Sequence, residues 1–169
     1  MAHSVDTSYL IEAWKVWFPY SEFAGVWRVL ASAAVHRQIF VIDRVYDELK
    51  RYVPELVQFF DTNAPGWAVD TKRDVVVQAE LNVLEHQLLA GTGFHRSYSP
   101  QRVSRYIATA DPVLVLHAQR HRHIVVSIEV SNPNAKSSPK IPDLCGIRGV
   151  VHAGPSEFIA ALGYTFAPV

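Results

Sequence analysis

The sequence AHSVDTSYLIEAWKVWF, residues 2–18, contains a strand pattern that runs directly into a helical pattern. Residues 2–6 predict a short strand that ends at Asp6. The residues after it carry apolar side chains at helical spacing until Pro19 stops the pattern. A strand that passes directly into a helix is typical of α/β folds, in which strands and helices alternate along the chain.

The rest of the chain continues this alternation. The β-branched run 124–127 is the best strand pattern, and residues 67–70 and 150–152 predict two shorter strands. Residues 73–90 form a strong amphipathic helical pattern. The alternation predicts one α/β domain over residues 1–169, with a three-layer α/β/α architecture and a mostly parallel central sheet covered on both faces.

Composition limits the class of protein. At 169 residues, with 49% hydrophobic and 19% charged residues, the chain is globular rather than disordered. The single cysteine, Cys145, excludes an internal disulfide framework and suits a reducing compartment. Asp6, Glu12 and Lys15 interrupt the first apolar pattern, so no signal peptide is expected, and no apolar run is long enough to span a bilayer. We therefore expect a soluble, cytoplasmic protein with no membrane association.

The charge is balanced overall but unevenly distributed. The 16 basic and 16 acidic residues give a net charge of zero, which neither demands nor excludes a nucleic-acid partner. Between residues 91 and 125, however, Asp111 is the one acid among five arginines. This pattern predicts either a phosphate-binding rim around a metal ligand or a solvated helix face. The arginines are Arg96, Arg102, Arg105, Arg120 and Arg122.

Four histidines, His95, His117, His121 and His123, lie in the same basic segment, and the last three are close together in sequence. His117 and His121 are four residues apart on a predicted helix, and His123 follows. This spacing can bind zinc, but no cysteine-rich or HExxH context accompanies it. A surface or RNA-facing role is therefore the preferred interpretation.

Four acidic residues lie in recognisable local contexts. Asp6, Glu48, Asp111 and Glu129 each lie near the end of a predicted strand or the start of a predicted helix. Because ligands bind outside the carboxyl ends of parallel strands, an α/β fold can bring such side chains together at one edge of the sheet. Converging carboxylates form an oxygen-only site that suits Mg²⁺ or Mn²⁺. The pattern is that of a metal-dependent nuclease.

Each acid also has a simpler interpretation. Asp6 could be a turn residue, Glu48 a solvated helix residue and Glu129 an exposed acid at a strand end. Asp111 precedes Pro112, and a proline in the first helical position is a common helix start, so Asp111 could be a helix cap. Asp43 is expected to cap the helix that carries Glu48, and Asp143 is more typical of a cap than of a ligand.

At these positions the chain resembles the PIN-domain ribonucleases, which include the VapC-like toxins of toxin–antitoxin systems. The resemblance spans nearly the whole chain, and its tail is similar to a longer, less studied branch of that superfamily. It rests on four motifs in order: VDTSYLI with Asp6, VYDEL with Glu48, ADPVLVLHA with Asp111 and VVSIE with Glu129; the tail motif is KIPDLC, residues 140–145.

The resemblance implies a role for each matching residue. Asp6 would be a central metal ligand supported by Thr7 or Ser8. Glu48, Asp111 and Glu129 would complete the acidic ring, directly or through water, and Ser127 matches the family's hydroxyl residue on the fourth strand. The implied activity is Mg²⁺- or Mn²⁺-dependent hydrolysis of RNA by an endoribonuclease. The implied partners are an RNA substrate, a protein antitoxin and a second copy of the chain in a homodimer.

The sequence departs from the family pattern at two places. The first strand is short and polar, and Glu129 stands where aspartate is commoner, without a second acid at Ser131. Asp143 could supply the fourth carboxylate instead, and the number of metal ions stays open. These departures leave a second hypothesis, a catalytically degenerate PIN-like module that binds RNA or protein. Such a module would depend on Arg102, Arg105 or Arg120 for RNA affinity. Cleavage of structured DNA is a third, less favoured interpretation.

Overall fold

A computed structural model describes residues 1–163 of the chain. Five strands form one sheet: β1 His3–Val5, β2 Ile39–Ile42, β3 Ala68–Val69, β4 Ile124–Val126 and β5 His152–Ala153. Every neighbouring pair is parallel, and the spatial order is β3-β2-β1-β4-β5. Helices flank the sheet, so the predicted three-layer α/β/α architecture is confirmed. Residues 164–169 of the predicted domain lie outside the described residues.

The helices follow the apolar patterns of the sequence with small shifts at their ends. The predicted helix over 73–90 begins at Val75, because the carboxylate of Asp74 accepts hydrogen bonds from the next backbone N–H groups. It ends where Gly91 adopts a left-handed conformation with φ 75°. The helices are α1 Thr7–Glu12, α2 Tyr20–Val35, α3 Asp43–Tyr52, α4 Pro54–Asn63, α5 Val75–Ala90, α6 Pro100–Ile107, α7 Ala110–His121, α8 Ile141–Arg148 and α9 Pro155–Ala161, and α1 continues as a π-helical turn over Ala13–Trp17.

The strand order places β1 at the centre of the sheet. From β1 the chain moves outward through β2 to β3, and it then returns to add β4 on the other side of β1. The reversal leaves a crevice between β1 and β4 at their carboxyl ends, which is where open α/β sheets bind ligands. The backbone N–H of Asp6 donates to the carbonyl of Val126 at 2.9 Å, so these two strand ends are held side by side.

The central strand is polar although all three of its residues are buried. The backbone N–H of His3 donates to the carbonyl of Gln38, and the hydroxyl of Ser4 contacts ring nitrogens of His117 and His123. Because buried polar groups are tolerated when they are hydrogen-bonded, the strand does not need the usual apolar run. The predicted strand over residues 2–6 is thus present, shortened by one residue at each end.

Two predicted helix caps are wrong. Helix α7 begins at Ala110 with Thr109 as its N-cap, so Asp111 does not cap it and Pro112 is the third helical residue. Helix α3 likewise begins at Asp43 rather than after it. The side chain of Asp43 instead accepts a hydrogen bond of 2.5 Å from the hydroxyl of Thr71. Both aspartates are therefore available for longer-range contacts, which local sequence rules do not foresee.

The buried residues form one hydrophobic core, with helix α7 in the middle of the molecule. Seven consecutive α7 residues, 112–118, are buried, which explains its apolar character around the whole circumference. Trp27 is fully buried, and its indole N–H donates to the carbonyl of Phe18 at 2.7 Å. Trp14 and Trp17 pack against the core, as expected. No helix within residues 1–163 has the length and apolar character needed to cross a membrane.

Candidate functional site

A depression of about 500 Å³ opens at the carboxyl edge of the sheet, beside the ends of β1 and β4. All four acids that the sequence singled out line it, although they come from four separate parts of the chain. We call this feature the acidic depression. Its lining residues are Asp6, Thr7, Ser8, Ile11, Glu48, Asp111, Ile128, Glu129 and Ile141.

Asp6 lies at the base of the acidic depression. It follows β1 directly, and only 3% of its surface is exposed. The hydroxyl of Ser8, two residues later in the first turn of α1, donates a hydrogen bond to its carboxylate. The resemblance implied that Thr7 or Ser8 supports Asp6; the hydroxyl of Ser8 and the backbone N–H of Thr7 both hydrogen-bond its carboxylate.

Glu48 reaches the acidic depression from the middle of α3. The hydroxyl of Thr7 donates to its Oε2 at 2.5 Å, a contact between residues 41 positions apart. Helices α1 and α3 pack together, so this contact is part of the interface between them. The hydroxyls of Thr7 and Ser8 therefore divide the supporting role: each orients a different carboxylate of the site.

Asp111 enters from the second position of α7, and residues 1–163 form no hydrogen bond to its carboxylate. Burial, together with repulsion from Asp6, Glu129 and Glu48, raises the pKa of Asp111 to about 7. Burial also raises the pKa of Asp6 to about 6, against the opposing hydrogen bond from Ser8. The electrostatic coupling confirms that the four carboxylates are close enough to repel one another.

Glu129 lies three residues beyond β4, further from the strand end than the sequence predicted. Both of its carboxylate oxygens are engaged. The ammonium of Lys140 donates to Oε1 at 2.7 Å, and the backbone N–H of Ile141 donates to Oε2 at 2.8 Å. The hydroxyl of Ser127 accepts from the backbone N–H of Glu129 at 2.9 Å. Glu129 thus holds the start of α8 against the acidic depression while it contributes charge to it.

Lys140 is the residue of this site that sequence reasoning missed. The hydrogen bond to Glu129 raises the pKa of its ammonium, and Asp111 adds to that effect. The motif around Lys140 was part of the family resemblance, but a single lysine after Pro139 carries no periodic signal. Its proximity to the acids becomes visible only when the loop 130–140 folds back on β4.

Asp143, the alternative fourth ligand, lies elsewhere. Its two carboxylate oxygens accept hydrogen bonds from the hydroxyl of Ser131 at 2.5 Å and from the backbone N–H of Asn132 at 2.9 Å. It lines a separate cavity and not the acidic depression. The structure therefore brings together Asp6, Glu48, Asp111 and Glu129 and sets Asp143 apart from them.

The basic segment 91–125 does not form one rim around the acids. Arg120 pairs with Asp74 at 3.0 Å, and Arg102 donates to the carbonyl of Lys136 at 2.7 Å. His117 is 4% exposed and packs between sheet and helix, so the surface role preferred for it is wrong. Its ring lies 4.5 Å from that of His121 and 5.4 Å from that of His123, measured between centroids.

The acidic depression suits a hard divalent cation by its donor atoms. Its carboxylates supply only oxygen ligands, and several negative charges in a partly buried site favour a cation strongly. Across residues 1–163, however, no three His, Cys, Asp or Glu side chains are grouped in a way that could hold a metal ion as they stand. The acids surround a shared space rather than a single point, so donor chemistry and charge, not closed geometry, support a fit to Mg²⁺ or Mn²⁺.

The fold and the site define a class: an all-parallel α/β/α protein with an acidic site at the switch point of its sheet. The chain belongs to the family described as a domain of unknown function, DUF4411, whose family model matches residues 3–166. No curated protein and no solved structure matches the chain significantly. The family description names no activity, so the function has to be argued from the site itself.

Proposed function

We propose that this protein is a Mg²⁺- or Mn²⁺-dependent endoribonuclease with a PIN-like fold. The observation that carries the proposal is the convergence of Asp6, Glu48, Asp111 and Glu129 on one open depression at the carboxyl edge of the sheet. The order of these acids along the chain matches the resemblance to PIN-domain ribonucleases. Buried carboxylates that repel one another are costly for folding, and functional sites are where such arrangements are commonly found.

The roles of the acids follow from their surroundings. A bound divalent cation would neutralise charge on the scissile phosphate and lower the pKa of a water molecule. Asp6 and Asp111, the most strongly perturbed carboxylates, would hold that cation. Glu48 would complete the site in the orientation that Thr7 imposes.

Glu129 has a different role in this proposal. Because both of its oxygens already accept hydrogen bonds, it contributes negative charge and positions Lys140 beside the site. The Lys140 side chain is 41% exposed, so its ammonium can also approach a phosphate group at the mouth of the acidic depression. A lysine that can move between a carboxylate and a phosphate would help to bind the RNA backbone.

The biological setting is part of the same proposal. The resemblance to VapC-like toxins supports a toxin of a toxin–antitoxin system, a protein antitoxin that blocks the acidic depression and a homodimer. A cytoplasmic location agrees with the one cysteine: burial raises the pKa of the Cys145 thiol to about 12, which leaves it unreactive.

The test compares three isosteric substitutions. Asp6→Asn and Asp111→Asn remove one charge each from the acidic depression, whereas Asp47→Asn removes an exposed charge next to Glu48 and serves as the matched control. Mn²⁺ binding is measured by calorimetry, and cleavage is measured on total RNA with purified proteins. We expect Asp6→Asn and Asp111→Asn to lose both activities and Asp47→Asn to retain both.

Retention of metal-dependent cleavage by both Asn variants would refute the proposal. Wild-type protein that neither binds Mn²⁺ nor cleaves RNA would do the same. Circular dichroism and thermal unfolding of each variant exclude a loss of fold as the cause.

One observation favours a second candidate, a degenerate PIN-like module that binds RNA or protein without cleavage. Lys140 and the N–H of Ile141 each bind one oxygen of Glu129, so part of the acidic charge is already neutralised by the chain itself. In that case RNA affinity would survive Asp6→Asn and fall on changing Arg102 or Arg105 to glutamine. Arg120 is a poorer probe, because it is paired with Asp74.

A further inference from the structure

A second cavity, of about 300 Å³, lies next to the acidic depression. We call it the loop cavity. The loop between α5 and α6 contributes the aromatic side chains Phe94 and Tyr98 to its wall. The loop after β4 and the first turns of α8 contribute polar groups, among them Asn132 and Asp143. The lining of the loop cavity thus combines aromatic side chains with hydrogen-bonding groups.

The two openings share a wall. Ile141 lines the acidic depression, and its neighbour Pro142 lines the loop cavity. In the same way Glu129 faces the acidic depression while Ser131, two residues on, faces the loop cavity. The two openings are thus lined by residues one or two positions apart along the same segments, so a chain molecule bound at one opening could extend to the other.

The polar wall of the loop cavity contains a hydrogen-bond acceptor of fixed orientation, the carboxylate of Asp143. Asp143 accepts from the hydroxyl of Ser131 and the N–H of Asn132, which fixes its orientation. A carboxylate has about four acceptor sites, so two remain for a ligand. Gly146 lines the same cavity, and its missing side chain leaves open space in front of α8.

Three basic residues lie in or beside the segments that line the loop cavity, although none of them lines it. The Nε of Arg96 is buried and has no hydrogen-bond partner within residues 1–163. Exposed Arg102 is fixed to the loop 131–139 by its bond to the carbonyl of Lys136, and Lys140 lies between the two openings. A ligand that combines a flat aromatic ring with a phosphate would therefore match the ring faces, the acceptor and the nearby cations.

We infer that the loop cavity binds an unpaired nucleobase of a single-stranded RNA, with guanine preferred. Phe94 supplies a face for stacking, and Asp143 accepts from the two adjacent N–H donors on the Watson–Crick edge of guanine, an arrangement that uracil lacks. The inference rests on the proposed function for one point only: the bound base would belong to a nucleotide next to the cleaved bond. It deepens that proposal by assigning the substrate class as single-stranded RNA with a guanine at a defined position.

The test measures binding without cleavage, so that the two proposals can fail separately. Fluorescence anisotropy in EDTA follows a short oligouridylate that carries a central guanosine, a central uridine or an abasic residue. We expect the guanosine probe to bind most tightly and the abasic probe to bind most weakly, with a difference of roughly tenfold. Phe94→Tyr keeps the aromatic face and should retain this difference, whereas Phe94→Leu keeps the packing and should lose most of it.

Asp143 is tested by the ratio of guanosine to uridine affinity, which a general change in charge would not alter. Asp143→Asn should bring that ratio close to one, and Asp70→Asn, at an exposed carboxylate outside both openings, should leave it unchanged. Equal binding of all three probes to the wild type, or an unchanged ratio in Asp143→Asn, would overturn the inference. Equal binding would also favour a protein, rather than a nucleobase, as the ligand of the loop cavity.

The nuclease assays are scored independently. A wild type that does not cleave RNA but discriminates guanosine would refute the nuclease proposal and leave the base site in place. A wild type that cleaves RNA without base discrimination would refute the base site and leave the nuclease proposal in place.

Discussion

The acidic depression and the histidine cluster are two groups of titratable side chains that both contact β1 and α7. The histidine cluster consists of His117, His121 and His123. Asp6 follows β1 and Asp111 opens α7, whereas Ser4 lies within β1 and His117 lies further along α7. The same strand and helix thus carry carboxylates towards the carboxyl edge of the sheet and imidazoles away from it.

Two rings of the histidine cluster, His117 and His123, have a hydrogen-bond partner within the protein. The hydroxyl of Ser4 contacts Nδ1 of His123 at 3.0 Å and Nδ1 of His117 at 3.5 Å. Burial lowers the pKa of both histidines to about 4, and repulsion from His121 adds to this effect. At neutral pH these rings are uncharged and hydrogen-bonded, so the cluster needs no ligand to balance it.

The acidic depression cannot be neutralised in this way. Asp111 has a raised pKa and no hydrogen-bond partner within residues 1–163, while Glu129 is already committed to Lys140. Near neutral pH several of its carboxylates remain charged and repel one another. Clustering of titratable groups is therefore not by itself a sign of function. What distinguishes the acidic depression is charge that the fold leaves uncompensated.

The largest expected difference between the two clusters is in catalysis. Glu48→Gln should lower the rate of RNA cleavage by at least roughly a hundredfold, because it removes a carboxylate from the proposed cation site. His121→Gln, at an exposed ring of the histidine cluster, should change the rate by less than about twofold. The measurement is the initial rate of cleavage of one purified RNA by each variant. A comparable loss in both variants would remove the distinction between the clusters.

The next effect is on stability in the absence of metal. A carboxyl group whose pKa is raised in the folded protein binds more protons there than in the unfolded chain, so stability falls as pH rises from about 4 to about 7. Asp111→Asn should therefore increase the free energy of unfolding near pH 7 by on the order of 3 kcal/mol in EDTA, and this gain should vanish near pH 4. Urea denaturation at both pH values measures it.

The control for this stability effect is Asp47→Asn, whose exposed carboxylate should matter little at either pH. Mg²⁺ should stabilise the wild type and not Asp111→Asn. A variant that is less stable than the wild type near pH 7 in EDTA would contradict the electrostatic description of the acidic depression.

The histidine cluster should show the opposite pH dependence. Since burial lowers the pKa of His117 to about 4, the unfolded chain takes up its proton first on acidification, and stability is lost as pH falls from about 6.5 to about 4. His117→Gln should reduce this acid-dependent loss by about 2 kcal/mol, whatever its effect near pH 7. Urea denaturation over that pH range gives the slope, and an unchanged slope would show that His117 is not buried as a neutral ring.

The smallest expected effect concerns the ammonium group of Lys140, which pairs with Glu129. Lys140→Met removes the ammonium from Glu129 and should tighten Mn²⁺ binding by a few fold, in line with the modest strength of partly exposed ion pairs. Lys140→Arg keeps the charge and should leave the affinity near that of the wild type. Calorimetric titration compares the three proteins. Weaker Mn²⁺ binding in Lys140→Met would mean that Lys140 supports the cation site rather than competing with it.

Much of the acidic depression was predictable from local sequence. Strand and helix patterns indicated an α/β fold with a mostly parallel sheet, and Asp6, Glu48, Asp111 and Glu129 were selected because they lie near element ends. Their convergence follows from a general rule, since the carboxyl ends of parallel strands meet at one edge. That rule needs only the type and sequence of the elements, which apolar periodicity reveals.

Other features depended on contacts between distant segments. Thr7 supports Glu48 from 41 positions away, and Ser4 meets His117 from 113 positions away. The expectations that failed were the helix caps at Asp43 and Asp111 and the surface role of His117, all of which local rules favoured.

The alternation of strands and helices could be predicted from the sequence, because side-chain periodicity encodes which face of each element is apolar. The sequence also identified the four acids by their motifs, although Glu48 lies in the middle of α3 and Glu129 lies three residues beyond β4. Three features are visible only in the folded chain. The four acids line one depression, the ammonium of Lys140 donates a hydrogen bond to Glu129, and Asp143 lines a different cavity. The reason is that strand order and loop path are set by packing of the whole chain around one core, and no local pattern carries that information.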